Sequence, residues 1–180
     1  MRAIDPIVRL DLAFSSFCLQ HRFNLQVAKI SKAVSRSGDG PFYAVLGLVL
    51  WLMDSISGSQ FFFAGLMAFA IELPIYWVLK NGFKRRRPQE LSNLLTAFIT
   101  PSDRYSLPSG HTAAAFIIAT LIGEFYFSFY LLALIWASLI GLSRILLGVH
   151  FITDVVIGAG LGLICAKAAL LLLGDGALWI

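Results

Sequence analysis

The chain has 180 residues, of which 58% are hydrophobic and only 13% are charged. Soluble domains are about 45–50% apolar and about 25% charged, so this composition excludes an ordinary water-soluble globule and predicts an integral membrane protein. The formal net charge is +4, and the basic residues are concentrated in the first 36 residues and between Lys80 and Arg104. Such segments suit anionic headgroups or a bound anion, and they also fit the basic loops that face the cytoplasm.

Residues 1–40 are predicted to form an amphipathic helical segment, one helix or a helix pair, in the membrane interface. Charged residues recur along this stretch, and between them Ile7, Leu10, Phe14 and Phe17 follow helical spacing. The Ser-Gly-Asp-Gly-Pro run that follows ends the helix. No apolar core with a small-residue cleavage site is present, so we expect no cleavable signal peptide. We therefore separate this segment from a transmembrane domain at residues 41–175.

About five apolar stretches are predicted to cross the membrane as helices, which gives an all-α integral membrane helical bundle. They lie at about residues 42–57, 61–79, 111–125, 129–146 and 154–173. The second stretch contains Glu72, which we interpret either as a functional residue or as an inward-facing, hydrogen-bonded structural residue. The polar loop at residues 80–107 is predicted to contain a short interfacial helix around residues 91–98.

Counting the spans places a set of polar residues on one side of the membrane. Because successive spans run out and back, the ends of the second and fourth spans lie beside the starts of the third and fifth. One layer is therefore expected to contain Lys80, Arg87, His111, Arg144, His150 and Asp154.

Three cations in this layer predict a bound anion. Lys80 and Arg87 are seven residues apart, which is two helical turns and one helical face. Arg144 adds a third positive charge, and three cations at the mouth of an apolar bundle are costly without an anion. Phosphate fits because arginine presents paired donors to its oxygens. Ser109 is placed to cap the third span, and Gly110 lets a ligand approach the free amides there.

Two histidines and a carboxylate in the same layer predict phosphoryl transfer. His150 and Asp154 are four residues apart, so on a helix the carboxylate can hold one ring nitrogen and leave the other as a basic lone pair. His111 is a second imidazole, which can protonate a leaving group. Together with the cations these groups form a complete site that needs no metal and no other cofactor, with histidine as the covalent nucleophile.

These residues resemble the signature of the type 2 phosphatidic acid phosphatase superfamily, the lipid phosphate phosphatases. That family has three motifs, K-x6-R-P, P-S-G-H and S-R-x5-H-x3-D. In this chain they are Lys80-NGFKRR-Arg87-Pro88, then Pro108-Ser109-Gly110-His111, then Ser143-Arg144-ILLGV-His150-FIT-Asp154. The resemblance covers about residues 42–173, and the N-terminal segment lies outside the motifs.

The resemblance implies a metal-independent membrane phosphatase that acts on a lipid phosphate or diphosphate of the polyprenyl diphosphate, phosphatidylglycerophosphate or phosphatidic acid type. It implies that His150 becomes a phosphohistidine, that Asp154 orients it, and that His111 is the general acid. The implied phosphate-binding residues are Lys80, Arg87, Ser109, Gly110 and Arg144. The expected partners are the lipid substrate and the bilayer, with no nucleic acid. Many bacterial members have six spans, so a chain with five and an interfacial segment is a short variant.

Two other functions remain open on the sequence. One is a phosphotransferase that moves a phosphoryl group between lipid-linked substrates, and the other is a non-catalytic lipid-binding or transport protein on the same scaffold. The family usually acts on the extracytoplasmic face of the bacterial inner or plasma membrane, which we favour, although the basic N-terminal segment favours the cytoplasm.

Three charged or polar features outside the motifs receive simpler interpretations. The run of Lys84, Arg85 and Arg86 is expected to be solvated or to contact headgroups, with a second contact to the substrate phosphate as the alternative. Asp103 and Arg104 are expected to pair with each other in the loop, with a functional role as the alternative. His21 is expected to lie in the interface.

Overall fold

The computed structural model describes residues 6–20, 24–92 and 94–174, and the regular elements in these ranges are helices. The predicted interfacial residue His21 lies outside the described residues. The α-helices are α1 (Pro6–Leu19), α2 (Asn24–Arg36), α3 (Gly40–Met53), α4 (Ser57–Phe83), α5 (Pro88–Leu91), α6 (Gly110–Phe125), α7 (Tyr130–Leu146) and α8 (Ile152–Gly174), with a 3-10 helix at Phe127–Phe129. The prediction of an all-α membrane bundle is confirmed.

Three segments within the described ranges are long and apolar enough to span a bilayer: Ser57–Leu91, which contains α4 and α5, Phe127–Leu146, which contains α7, and Ile152–Gly174, which is α8. The other two predicted spans form apolar helices at the expected places, but α3 has 14 residues and α6 has 16. Helices of this length reach about 21 and 24 Å, which is less than the ~30 Å hydrocarbon core. Helix α3 begins at Gly40, which lines the same cavity as Glu72 in the middle of α4.

Helix α6 lies at the centre of the bundle and packs against α4, α7 and α8. Its contact with α8 is close because two glycines, one helical turn apart on α8, face it. A Cβ atom at Gly158 would lie 2.5 Å from the carbonyl oxygen of Ser109, and one at Gly162 would lie 2.2 Å from that of Ala113. Small residues allow such backbone contact between membrane helices, and the contact holds the start of α6 beside the start of α8.

The two N-terminal helices pack against the bundle. Helix α2 lies along α7, and α1 contacts both α7 and α8. Ala28 of α2 packs with Leu147, while the indole N–H of Trp136 donates to the hydroxyl of Ser37 at 3.0 Å. The second helix therefore shares core contacts with α7. The boundary between residues 1–40 and the transmembrane domain stays a prediction.

Candidate active site

The predicted site residues lie at one end of the bundle, where α4 and α7 end and α6 and α8 begin. A cavity of about 560 Å³ opens there. Five of the eight predicted residues line it: Arg87, Gly110, His111, Arg144 and His150. The other three, Lys80, Ser109 and Asp154, are buried behind its wall.

Lys80 and Arg87 both hold Asp103, a cavity-lining residue of the loop before α6. Lys80 Nζ and the Tyr76 hydroxyl each donate to Asp103 Oδ2 at 2.7 Å. Arg87 Nη2 donates to Asp103 Oδ1 and, at 3.0 Å, to the carbonyl oxygen of Tyr105. Burial acts to raise the pKa of Asp103, but the hydrogen bonds from Lys80 and Tyr76 and the charge of Arg87 outweigh it, so this pKa is lowered. The carboxylate of Asp103 thus lies between Lys80 and Arg87, two cations that the sequence predicts to bind phosphate.

The prediction that Lys80 and Arg87 share a helical face is wrong. Helix α4 ends at Phe83, and Lys84 ends the helical hydrogen bonding in a left-handed conformation with φ of 48°. Arg87 is extended, with φ of −79° and ψ of 161°. The chain therefore turns back toward the bundle, where Arg87 Nη1 donates to the carbonyl oxygen of Val149 at 2.5 Å.

Two further predictions for this loop are also wrong. The helix expected around residues 91–98 is instead the single turn Pro88–Leu91, because proline starts a helix readily and Ser92 is already extended. Asp103 does not pair with Arg104, because the more deeply buried cations of the site hold its carboxylate.

Arg144 closes the site from the end of α7. Its Nη1 donates to the hydroxyl of Ser35 on α2 at 2.7 Å, and both residues are buried. The Nε atoms of Arg144 and Arg87 are buried without a hydrogen-bond partner among the described residues. Unpaired buried donors are costly, so both guanidinium groups retain donor capacity for the oxygens of an anion.

His150 lies in the turn between α7 and α8, and backbone contacts fix its position. The turn includes Gly148 with φ of 73°, and a side chain there would meet the carbonyl oxygen of Thr96 at 2.5 Å. The N–H of His150 donates to the carbonyl oxygen of Arg144 at 3.3 Å. Burial lowers the pKa of His150 to about 4, more than the neighbouring Asp154 raises it. The ring is therefore neutral near pH 7, which is the nucleophilic form.

Asp154 faces the imidazole of His150, although the histidine precedes the helix that begins at Ile152. The distance from His150 Nδ1 to Asp154 Oδ2 is 3.7 Å, which is too long for a hydrogen bond. The same oxygen accepts the N–H of Phe151 at 2.8 Å. Because Nδ1 faces the carboxylate, Nε2 is the ring nitrogen left for the cavity.

Arg85 forms an ion pair with Asp154. The prediction that the run from Lys84 to Arg86 is solvated or contacts headgroups is therefore wrong for Arg85. Its Nη1 lies 2.7 Å from Asp154 Oδ1, and its Nη2 lies 2.5 Å from Asp11 Oδ2. Asp11 is a fully buried residue of α1, and the sequence analysis assigned it no role. Lys84 and Arg86 are exposed, as predicted.

Ser109 and Gly110 form the start of α6. Ser109 is at the N-cap position, as predicted, but its hydroxyl pairs with that of Thr112 at 2.8 Å and does not cap a backbone amide. A Cβ atom at Gly110 would lie 3.0 Å from the ring of Tyr76. The absence of a side chain therefore allows the aromatic ring of α4 to approach the first turn of α6.

Two carboxylates that the motifs do not include also line the cavity. Asp39, in the turn between α2 and α3, forms a hydrogen bond with Nε2 of His111 at 2.9 Å. Glu72 of α4 is only 3% exposed and points to the same cavity. Glu72 therefore faces inward, as both interpretations of this residue expect.

Beyond Glu72 the cavity is apolar and runs between α3, α4 and α6. Its inner wall includes Tyr43, Phe61, Phe62 and Phe69. Ala44, Leu66 and Leu73 also line it and are exposed on the outside of the bundle. The cavity therefore connects the polar end to a lateral surface that faces lipid in a membrane.

Known proteins are similar to this chain in sequence. A profile of the PAP2 superfamily matches residues 57–176. Phosphatidylglycerophosphatase B of Bacillus subtilis (strain 168) is 33% identical over 110 residues, which cover 55% of this chain and 51% of that protein. The bacitracin transport permease protein BcrC of Bacillus licheniformis is 29% identical over 126 residues, 69% of this chain and 62% of that protein. The matches thus span between about half and two thirds of these relatives.

Two solved structures share the helix arrangement. The crystal structure of the first transmembrane PAP2 type phosphatidylglycerolphosphate phosphatase from Bacillus subtilis aligns with a TM-score of 0.75 over 99% of this chain and 91% of that chain. Its sequence identity is 22%, so this similarity shows the fold alone. The crystal structure of Aquifex aeolicus LpxE aligns with a TM-score of 0.79 at 28% identity, over 89% of this chain and 94% of that chain.

Proposed function

Because the chain belongs to the PAP2 superfamily, we propose that it is a membrane-embedded phosphatase that hydrolyses a lipid phosphate or lipid diphosphate through a phosphohistidine. The observation that carries the proposal is the cavity, which joins two histidines and two arginines to an apolar wall in one continuous volume. The polar end suits an oxyanion, and the apolar end suits an acyl or prenyl chain. A soluble phosphate ester would leave the apolar half unused.

In the proposed reaction, Nε2 of His150 attacks phosphorus, and the bond from phosphorus to the lipid oxygen breaks. Arg87 and Arg144 stabilise the negative charge on the oxygens that stay on phosphorus. Asp154 supports the imidazole as it becomes positively charged, and His111 gives a proton to the departing lipid oxygen. Water then attacks the phosphohistidine and returns its proton to His111, which releases phosphate and restores His150.

Phosphate binding involves an exchange of partners at the remaining site residues. Lys80 and Arg87 are held by Asp103, so a phosphate that binds them takes the place of that carboxylate. The first turn of α6, which begins at Gly110, adds backbone N–H groups that have no partner within the helix, whereas the N–H of Ser109 already donates to the carbonyl oxygen of Asp154. Backbone N–H groups bind anion oxygens without carrying a net charge, so they add to the contacts that the cations make.

The relatives suggest which lipids to test first. One curated relative and one solved structure are named as phosphatases of phosphatidylglycerophosphate, so we place this lipid ahead of polyprenyl diphosphates and phosphatidic acid. We propose the extracytoplasmic face of a bacterial inner membrane as the location of the site, on the basis of the family resemblance. A second candidate function is transport, because another relative is named a transport permease.

The deciding experiment presents a panel of these lipids to the purified protein in detergent and measures released phosphate. We expect hydrolysis that His150→Ala abolishes and that Asp154→Asn lowers by roughly 10²–10⁴-fold, as for other carboxylate-oriented histidines. Glu124→Gln is the control, because it removes an exposed carboxylate near the far end of α6. Phosphate release that survives His150→Ala contradicts the proposal. Lipid binding without release supports transport, and phosphoryl transfer to a lipid acceptor supports a phosphotransferase.

A further inference from the structure

A chain of buried charged groups connects the N-terminal helix to the site. Asp11 on α1 and Asp154 on α8 are both 0% exposed, and Arg85 binds one with each of its terminal nitrogens. Thr153 completes the link, since its hydroxyl donates to Asp11 at 2.5 Å and its N–H donates to the same carboxylate at 3.3 Å. These contacts join segments that are 74 and 142 residues apart.

The contacts leave the Asp154 carboxylate little freedom. Arg85 holds Oδ1 at 2.7 Å, and the N–H of Phe151 holds Oδ2 at 2.8 Å. The guanidinium carbon of Arg85 also lies 4.6 Å from the centre of the Phe151 ring, which is fully buried. With both oxygens held, Oδ2 is kept on the side of His150.

The charge of this cluster suits the proposed intermediate. Two carboxylates share one guanidinium, so the cluster has one excess negative charge. When Nε2 of His150 bonds to phosphorus, the ring keeps the proton on Nδ1 and gains one positive charge. An Asp154–Arg85 pair without Asp11 would be neutral and would stabilise that charge less.

We propose that Asp11 and Arg85 are positioning residues for the nucleophile, which hold Asp154 toward His150 and keep the cluster net negative. This inference rests on the proposed phosphatase function. It assigns a role in the reaction to the N-terminal helix, which lies outside the sequence motifs.

The first test is Asp11→Asn, which keeps the size of the side chain and removes its charge. We expect kcat to fall by about 10-fold, the effect of one charge roughly 10 Å away at an effective dielectric constant of about 20. KM should change by less than about twofold, because Asp11 does not line the cavity. Thermal unfolding of both proteins is recorded so that kinetics are compared well below either midpoint.

The second readout needs no turnover. Vanadate accepts a fifth ligand and can bond to an imidazole nitrogen, whereas inorganic phosphate at equilibrium only contacts the cations and amides. Asp11→Asn should therefore weaken vanadate binding relative to phosphate binding by about 10-fold in calorimetric titrations. If the unmodified protein hydrolyses no lipid of the panel, the phosphatase proposal fails, and this ratio still tests the positioning of His150.

Ser15→Ala is the matched control for helix packing. Ser15 is one turn from Asp11 on α1, is equally buried, and its hydroxyl has no hydrogen-bond partner among the described residues. The Ser15→Ala variant should leave kcat and the ratio of vanadate to phosphate affinity unchanged. If Ser15→Ala reproduces the loss, or if Asp11→Asn keeps both quantities at their original values, the inference is overturned.

Arg85→Lys tests the same inference if Asp11→Asn does not fold. Lysine keeps the positive charge but lacks the fork that reaches two carboxylates at once. We expect kcat to fall about 3- to 10-fold, with KM unchanged and vanadate binding weakened by a similar factor. An unchanged kcat in this variant overturns the positioning role of Arg85.

Discussion

Replacing Asp103 by asparagine is expected to tighten the binding of phosphate-like anions. Its carboxylate lies between Lys80 and Arg87, which are two of the three cations proposed to bind phosphate. An incoming anion therefore competes with a group that the protein supplies itself. Asparagine keeps the shape of the side chain but gives up the charge, so the competition weakens.

The size of the effect follows from the exposure of the carboxylate. The Asp103 side chain is 36% exposed, while those of Lys80 and Arg87 are 6% and 2% exposed. Because the carboxylate is partly exposed, solvent screens its two ion pairs, and exposed ion pairs contribute about 0.2–1 kcal/mol. Taking the upper half of that range for each of the two contacts gives about 1–2 kcal/mol, or roughly 5- to 30-fold in affinity.

Competitive inhibition by inorganic phosphate measures this affinity directly, with p-nitrophenyl phosphate as the substrate. Asp103→Asn should lower the inhibition constant by that factor, and Glu124→Gln, which removes an exposed carboxylate at the far end of α6, should not change it. An inhibition constant that stays the same or rises in Asp103→Asn would refute the reasoning. Asp103 would then be part of the anion site and not a competitor for it.

Three further predictions concern the metal, the two histidines and pH. Hydrolysis should persist in excess EDTA, since no group of three metal-ligating side chains occurs among the described residues; loss restored only by a divalent ion contradicts this. His150→Ala should abolish hydrolysis of lipid phosphate and p-nitrophenyl phosphate alike, whereas His111→Ala should spare more of the activated ester, whose leaving group needs no proton. If His111→Ala lowers hydrolysis of lipid phosphate and of p-nitrophenyl phosphate by the same factor, His111 does not act chiefly as the acid for the leaving group. The pKa of His150 is about 4 in the folded state, whereas it is about 6.5 in the unfolded chain. Between pH 7 and pH 5 the unfolded chain therefore binds a proton that the folded chain does not, and the free energy of unfolding falls by roughly 2 kcal/mol. Unfolding of His150→Gln at the two pH values should lack that part of the loss.

The sequence predicted the helices and the motif residues because both depend on local patterns. Apolar stretches of sufficient length placed α4, α7 and α8 correctly. The motif spacing identified five residues that share one cavity. The sequence does contain a local signal against a shared helical face for Lys80 and Arg87, because Pro88 disfavours a helical conformation at the residue before it. Arg87 therefore could not continue the helix of Lys80.

The partners of the motif residues could not be predicted in this way. Asp39 and His111 are 72 residues apart, and Asp11 and Arg85 are 74 apart. No periodicity relates such positions, and an aspartate in an amphipathic segment looks the same whether it is solvated or buried. Only the packing of α1 and α2 against the bundle brings these carboxylates to the site.

The lateral opening of the cavity has a consequence for how the proposed activity is assayed. Its rim is formed by Ala44, Leu66 and Leu73, which face outward from the bundle. A lipid that enters there diffuses in two dimensions and does not pass through water. The rate should then follow the mole fraction of substrate in the micelle or bilayer and not its concentration in the tube. Adding detergent at a fixed amount of lipid phosphate should slow turnover by surface dilution alone, even though every molecule of substrate remains in the sample.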